Sequence, residues 1–177
     1  MVKNESLLKP EGDTTLLDLK FFKPQTIPEE ARRDSIAFWQ SENVLPENVA
    51  QQRAPQVVGH AYVENTLVGI ASGYVNVAPT LRQPYFHYRT YVAQSHRRSG
   101  IARALLAFNF TQLSNYFSAQ PSPATVGVIL EIPATIAPLD DHLVWPHTEF
   151  SFAGTTSEGA HLRVRYFEQV KLKPATT

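Results

Sequence analysis

The chain has 177 residues, 43% of them hydrophobic and 11% aromatic, which is enough to fill the core of one domain spanning 1–177. Its 16 basic residues balance its 16 acidic ones, which argues against a general nucleic-acid or membrane-surface binder. Cysteine is absent, so disulfides, thiolate nucleophiles and cysteine-based metal sites are excluded. No apolar run approaches the roughly 18 residues that span a bilayer. With no signal-peptide core near residue 1, a cytoplasmic protein is the expectation.

Residues 15–22 read as a first strand. Thr26, Ile27, Pro28, Glu29 and Glu30 then announce a helix through Ala31, Ile36, Phe38 and Trp39, with proline and acidic residues at its start. Pro46 and Pro55 bracket a polar connection that holds either a short helix or a loop. Residues 56–63 and 67–77 are strand-like and form a hairpin about Glu64, Asn65 and Thr66. Pro79 and Pro84 mark a loop before a strand at 86–93.

A helix follows at 100–117, with Ala102, Leu106, Phe110, Leu113 and Phe117 along one stripe that Leu105 and Phe108 widen. Residues 125–132 are apolar enough for a buried central strand. Pro133, Pro138 and Pro146 punctuate a segment in which only 138–145 reads as helical. Residues 149–153 and 160–172 look like paired strands, whose outer edge needs either a cover or a second copy of the chain. The pattern is a mixed α/β sandwich.

The chemistry concentrates at residues 92–102. Between a strand and a long apolar helix lie His96, Arg97, Arg98, Ser99 and Gly100, so a basic turn sits at a helix N-terminus. Amides there lack intrahelical partners, and the helix dipole adds partial positive charge, so a diphosphate is the natural guest. From 65 to 130 there is no Asp, Glu or Lys, while Arg82, Arg89, Arg97, Arg98 and Arg103 give a formal charge of plus five. Guanidinium is the cation suited to bidentate phosphate contact.

Arg97, Gly100 and Ala102, at the spacing glutamine-or-arginine, two residues, glycine, one residue, glycine-or-alanine, resemble the cofactor motif of the GNAT superfamily of acyl-CoA-dependent N-acyltransferases. The order of elements is similar over most of the chain, although many members have proline where Gln94 stands here. The resemblance implies a GNAT-like α/β fold with a mixed, mostly antiparallel central sheet of about seven strands flanked by helices. It also implies that amides between Arg98 and Arg103, including those of Ser99, Gly100, Ile101 and Ala102, hold the pyrophosphate of acetyl-CoA as co-substrate. Val92 and Ala93 would pair with the pantetheine arm through their backbone, and Arg97, Arg98 and Arg103 would add charged contacts.

Acyl transfer to an amine needs a proton acceptor and a donor for the departing thiolate. Some members carry a glutamate base where this chain has Phe86, and the neighbouring His87 points to the opposite strand face unless a bulge shifts the register. Glu131 is the best-placed carboxylate. Between Leu130 and Ile132 its pKa should rise by desolvation. The family's general acid is often a tyrosine near the final helix, and none lies between Glu131 and Tyr166. Asp140, Asp141, His142 and His147 are the polar residues of that region. Their spacing and Pro146 match no standard metal site. Tyr91, Tyr116, Trp39 and Trp145 read as packing residues, the two tryptophans also as an aromatic wall for the acceptor.

The expected function is therefore an N-acetyltransferase that moves acetyl from acetyl-CoA directly to a small-molecule or peptide amine, without metal. Such a protein needs no nucleic-acid or membrane partner. The acceptor would meet the early helices, residues 44–55 and residues 133–147. The missing tyrosine keeps an alternative open, a non-catalytic acyl-CoA-binding or scaffold protein of the same fold.

Overall fold

The first helix begins where Pro28 takes an extended conformation at its N-cap, with Glu29 and Glu30 in the first turn against the positive end of the dipole. In the computed structural model, which describes residues 5–7, 16–135, 142–168, 170 and 171, this helix, α1, runs Glu29–Ser41. A Schellman closure ends it. Asn43 sits at φ 54, the Val44 amide bonds Trp39 O at 2.9 Å, and the Asn43 amide bonds Gln40 O at 3.0 Å. The polar connection between the prolines forms α2, Glu47–Arg53, followed by a 3-10 turn, Ala54–Gln56.

The eight strands are β1 Glu5–Leu7, β2 Leu17–Phe21, β3 Val57–Val63, β4 Thr66–Ala78, β5 Gln83–Val92, β6 Gly127–Ile132, β7 Ser151–Thr155 and β8 His161–Tyr166. They hydrogen-bond in the order β1-β2-β3-β4-β5-β6-β8-β7. β5 pairs parallel with β6, while β2–β3, β3–β4, β6–β8 and β7–β8 are antiparallel. The sheet is mixed as expected, with β1 as a strand the sequence does not announce. The hairpin between β3 and β4 closes on Glu64 and Asn65, at φ 49 and 63, the left-handed pair of a two-residue turn that matches strand twist.

Two compact units divide the residues, one of 1–73 with 90–109 and one of 74–89 with 110–177. In the first, Phe22, Ala31, Phe38, Trp39, Ala50, Val57 and Ile70 build a buried core with Tyr91 against it. There Ser35 Oγ donates to Ala31 O at 2.8 Å and lies 2.7 Å from His60 Nε2, while His60 Nδ1 lies 3.0 Å from Tyr62 Oη. Since the Ser35 proton is already committed, His60 Nε2–H donates to Ser35, and Nδ1 accepts from Tyr62. Every polar atom of this buried chain is satisfied, and it ties α1 to β3.

The second unit has its own core of Ala78, Tyr85, Val126, Ile129, Leu162 and Val164. A ring cluster joins it, in which Phe110 meets Phe150 edge-on at 5.9 Å and Phe117 stacks on Phe167 at 5.7 Å.

Four expectations need correction. Pro84 lies inside β5 and not in the loop before it, because Arg82, at φ 50, donates to Ala78 O at 2.8 Å and closes the turn early. Ala102 is exposed, and Ile101 and Leu105 begin the buried stripe of the third helix, α3, Ile101–Ser118. Residues 142–145 are not helical: the Phe152 amide bonds Leu143 O at 2.7 Å and the Trp145 amide bonds Phe150 O at 3.0 Å, which draws the segment alongside β7. The last strand stops at Tyr166, where the Phe167 amide turns to Val126 O at 3.0 Å. The remainder of the helix expected at 138–145, with Asp140 and Asp141, lies outside the described residues, as do Thr15 and Leu172. Among the described residues no helix is long and apolar enough to cross a membrane.

Candidate functional site

The basic turn leaves β5 at Val92, passes through a 3-10 turn at Gln94–His96, and enters α3 at Ile101. Arg98 at φ 65 and Gly100 at φ 84 both take left-handed conformations. A side chain at Gly100 would find room, its nearest neighbour being an Arg103 nitrogen at 3.7 Å. Glycine is needed there for the backbone angle. Alternation of this kind curves successive amides toward one point and makes an anion-holding concavity.

Nothing in the turn competes with a guest for those amides. Ser99, the hydroxyl next to the helix start, donates instead to His96 O at 2.6 Å. The first turn of α3 carries no acidic side chain. Val92, His96, Arg97, Arg98, Gly100, Ile101, Ala102 and Arg103 line a cleft of about 420 Å³, a size typical of small-molecule sites. The exposure of Ala102 belongs here, since a methyl group on the open side lets a ligand approach the main chain.

The turn is held from beneath by contacts that sequence spacing gives no hint of. Glu42, at the end of α1, accepts from the Gln94 amide at 2.9 Å and from Tyr91 Oη at 3.2 Å. Arg97 donates to Tyr91 Oη at 3.1 Å, reaches Val92 O at 3.5 Å, and lies 5.4 Å from the Tyr91 ring centre. Tyr91 is thus more than a packing residue, although its ring also meets Phe38 edge-on at 5.9 Å. The Ala93 amide bonds Val68 O at 2.8 Å within the sheet. Of the two residues expected to pair with a pantetheine arm, Val92 therefore has the amide that points away from β4.

The second unit carries Phe86, His87 and Glu131. Phe86, in register with Val128 of β6, is buried against Phe117. His87, in register with Ile129, takes the opposite face as its sequence position requires. Its ring stacks on Tyr74 at 5.3 Å and 13°. Burial is the main cause that pushes its pKa below the usual value. A bond to the Asn76 backbone opposes the shift, Arg89 adds to it, and Glu131 opposes it. Arg89 donates to Tyr74 Oη at 3.2 Å and covers the same ring at 4.9 Å.

Glu131 is exposed, so the burial expected from its apolar neighbours is absent: Leu130 packs inward on one face while Glu131 turns to solvent on the other. His142 and His147 are exposed as well, and among the described residues no group of three His, Cys, Asp or Glu is arranged to hold a metal. Trp39 is 2% exposed and belongs to the core. Trp145 lies under the Arg163 guanidinium at 4.4 Å.

A strand, a basic turn with two left-handed residues and a helix start that lines a cleft together have the form of an anion-binding turn. The model of the acetyltransferase (GNAT) family matches residues 19–113, and the chain belongs to that family. No curated protein sequence matches it. Among solved structures, an N-acetyltransferase from Staphylococcus aureus Mu50 is 17% identical with a TM-score of 0.54, over 86% of this chain and 99% of that one. The loading GNATL domain of CurA from Lyngbya majuscula is 13% identical with a TM-score of 0.54, over 87% and 99%. A GNAT-family acetyltransferase from Streptococcus pneumoniae is 11% identical with a TM-score of 0.51, over 85% and 99%. At such identities the likeness is one of fold.

Proposed function

We propose that the protein is an N-acetyltransferase that carries acetyl from acetyl-CoA directly to an amine. The observation that carries this reading is the turn from Arg97 to Arg103, where two left-handed residues curve the backbone that lines a cleft, beside three arginines. Amides of Ser99, Gly100, Ile101, Ala102 and Arg103 would hold the pyrophosphate, Arg98 and Arg103 would neutralise it, and the Val92 backbone would receive the pantetheine arm. Ala93, with its amide bonded to Val68 O and its carbonyl accepting from the His96 amide at 2.9 Å, would contribute packing alone.

Transfer needs no covalent intermediate on the protein. Holding the amine against the thioester would supply most of the rate, with the proton passing to Glu131 or to water. The similar fold from Staphylococcus aureus Mu50 is that of an N-acetyltransferase, which supports the choice of nitrogen over other acceptors. A protein that bound acyl-CoA without turning it over would share the turn and differ in chemistry alone.

The test is release of free CoA thiol from acetyl-CoA with three amine probes: spermidine, kanamycin and an alanine-initiated tripeptide. Amine-dependent release with any of them supports the enzyme. Binding of acetyl-CoA without release from any of the three supports the non-catalytic alternative.

A further inference from the structure

We propose that His96 is a further ligand of the diphosphate in the cleft, and that its imidazole takes up a proton as the acyl carrier binds, which makes the affinity of the site depend on pH. This inference rests on the acetyl-CoA reading above and adds a regulation to that site. The glycine-bearing motif begins only at Arg97, so its spacing gives His96 no role. His96, the turn and the cleft all belong to one compact unit, 1–73 with 90–109.

His96 closes the 3-10 turn Gln94–His96, is half-buried, and lines the same cleft as Arg98, Gly100 and Arg103. Its backbone is fixed on both sides: the His96 amide bonds Ala93 O at 2.9 Å, and His96 O accepts from Ser99 Oγ at 2.6 Å. The ring is held at one nitrogen. Nδ1 lies 2.9 Å from Ser95 Oγ, while among the described residues Nε2 has no hydrogen-bond partner.

A hydroxyl can donate or accept, so Ser95 serves both charge states of the ring. It donates to Nδ1 of the neutral imidazole and accepts from Nδ1–H of the imidazolium. In both states Nε2 carries a hydrogen and can donate it to a phosphate oxygen. The other neutral tautomer, with a lone pair on Nε2, is the one an anion disfavours.

The charged groups about the ring suit this role. From 65 to 130 there is no Asp, Glu or Lys, and the first turn of α3 carries no acid. Among the described residues the carboxylate bonded to this turn is Glu42 at the end of α1, and it is held by the Gln94 amide and Tyr91 Oη. Arg97 is turned onto Tyr91 Oη and Val92 O. Arg98 on the turn and Arg103 on α3 are then the cleft-lining cations beside His96. A diphosphate held among them places negative charge next to the ring, which favours the imidazolium. Histidine is the side chain whose charge ordinarily changes between about pH 5 and 8. Because the occupied site holds the proton more tightly than the empty one, affinity rises as pH falls through that range.

The test is calorimetric titration of the full chain with acetyl-CoA at pH 6, 7 and 8, for wild type, His96→Gln and His96→Ala. Non-phosphate buffers of different ionisation enthalpy count the protons taken up per carrier bound. The wild type should take up a fraction of a proton at pH 7 that His96→Gln does not. The affinity of wild type relative to His96→Gln should be about threefold to fivefold larger at pH 6 than at pH 8, the size of one charge interaction at a half-exposed site. Taking that ratio removes the pH dependence brought by the phosphates of acetyl-CoA itself. His96→Gln keeps a donor and should bind at pH 8 as the wild type does, whereas His96→Ala should bind more weakly at every pH.

Equal proton uptake and a constant affinity ratio overturn the inference and leave the cofactor turn standing. A second measurement needs no variant to fold: 15N NMR of the wild-type imidazoles with acetyl-CoA bound at pH 7 should show His96 with a hydrogen on Nε2, and an Nε2 without one overturns the inference. A wild type that gives neither heat nor a rise in melting temperature with millimolar acetyl-CoA at any of the three pH values removes the cofactor reading itself, and the inference with it.

Discussion

The Glu42 carboxylate at the end of α1 accepts a 2.9 Å hydrogen bond from the Gln94 amide, 52 residues further along the chain. The same oxygen accepts from Tyr91 Oη, which in turn accepts from Arg97. A helix end fixed by its Schellman closure thus holds the entrance of the basic turn. Replacing Glu42 with alanine frees the Gln94 amide and the Tyr91 hydroxyl together. Acetyl-CoA affinity measured by calorimetry should fall by about tenfold as the two lost hydrogen bonds loosen the turn, and Glu42→Gln, which keeps an acceptor oxygen, should lose less.

Ser35→Ala should destabilise the first unit. It leaves the buried His60 Nε2–H without an acceptor, because Ser35 Oγ stands 2.7 Å from that nitrogen in a site with no solvent access. The expected cost is about 1–3 kcal/mol, read as a lower midpoint in urea at unchanged slope.

The same histidine sets a pH dependence of stability. Burial, with a smaller contribution from Lys20, lowers the His60 pKa to about 3, whereas an unfolded histidine ionises near 6.5. As pH falls the unfolded chain therefore binds the proton first. The stabilisation is fully present above about pH 6.5 and is lost progressively toward about pH 3, with a slope of at most about 1.4 kcal/mol per pH unit for one proton. His87, lowered mainly by burial, acts in the same direction. Urea midpoints at pH 7 and pH 5 should differ for the wild type and differ less in His60→Gln, where the His87 contribution remains.

Glu131→Gln separates two roles for that carboxylate. As the base itself, Glu131 would leave a variant reduced by orders of magnitude. As an exposed charge with the proton leaving to water instead, its loss is screened by solvent. Initial rates with the probe amines should fall by less than about tenfold, against about 100-fold or more for the loss of a true general base.

Much of the framework was readable from local pattern. Helix α1 followed from Pro28 and its acidic first turn, the β3–β4 hairpin from Glu64 and Asn65, and the turn from Gly100 among arginines. Each is a signal carried by a few adjacent residues. The failures were of another kind. Pro84 reads as a loop residue until Arg82 is seen closing the turn, and Ala102 reads as core until α3 is seen to bury Ile101 instead. At Glu131 the apolar neighbours face the other side of the strand, a matter of pleat that composition does not reveal. The contacts of Glu42 with Gln94 and of His87 with Tyr74 join residues distant in sequence, so no spacing could have announced them.

The most direct measurement is the melting temperature of the protein titrated with acetyl-CoA, in the wild type, in Gly100→Trp and in the Arg98→Glu/Arg103→Glu double variant. A saturable rise in the wild type, absent in Gly100→Trp and sharply reduced in the double variant, is the expected result; ligand at about 100 times its Kd stabilises by about 2.7 kcal/mol. The double variant keeps the wild-type glycine backbone and reverses two exposed charges, so its loss of response cannot be put down to a strained turn. No rise at millimolar acetyl-CoA, or an equal rise in all three proteins, would contradict the assignment of residues 97–103 as the cofactor site.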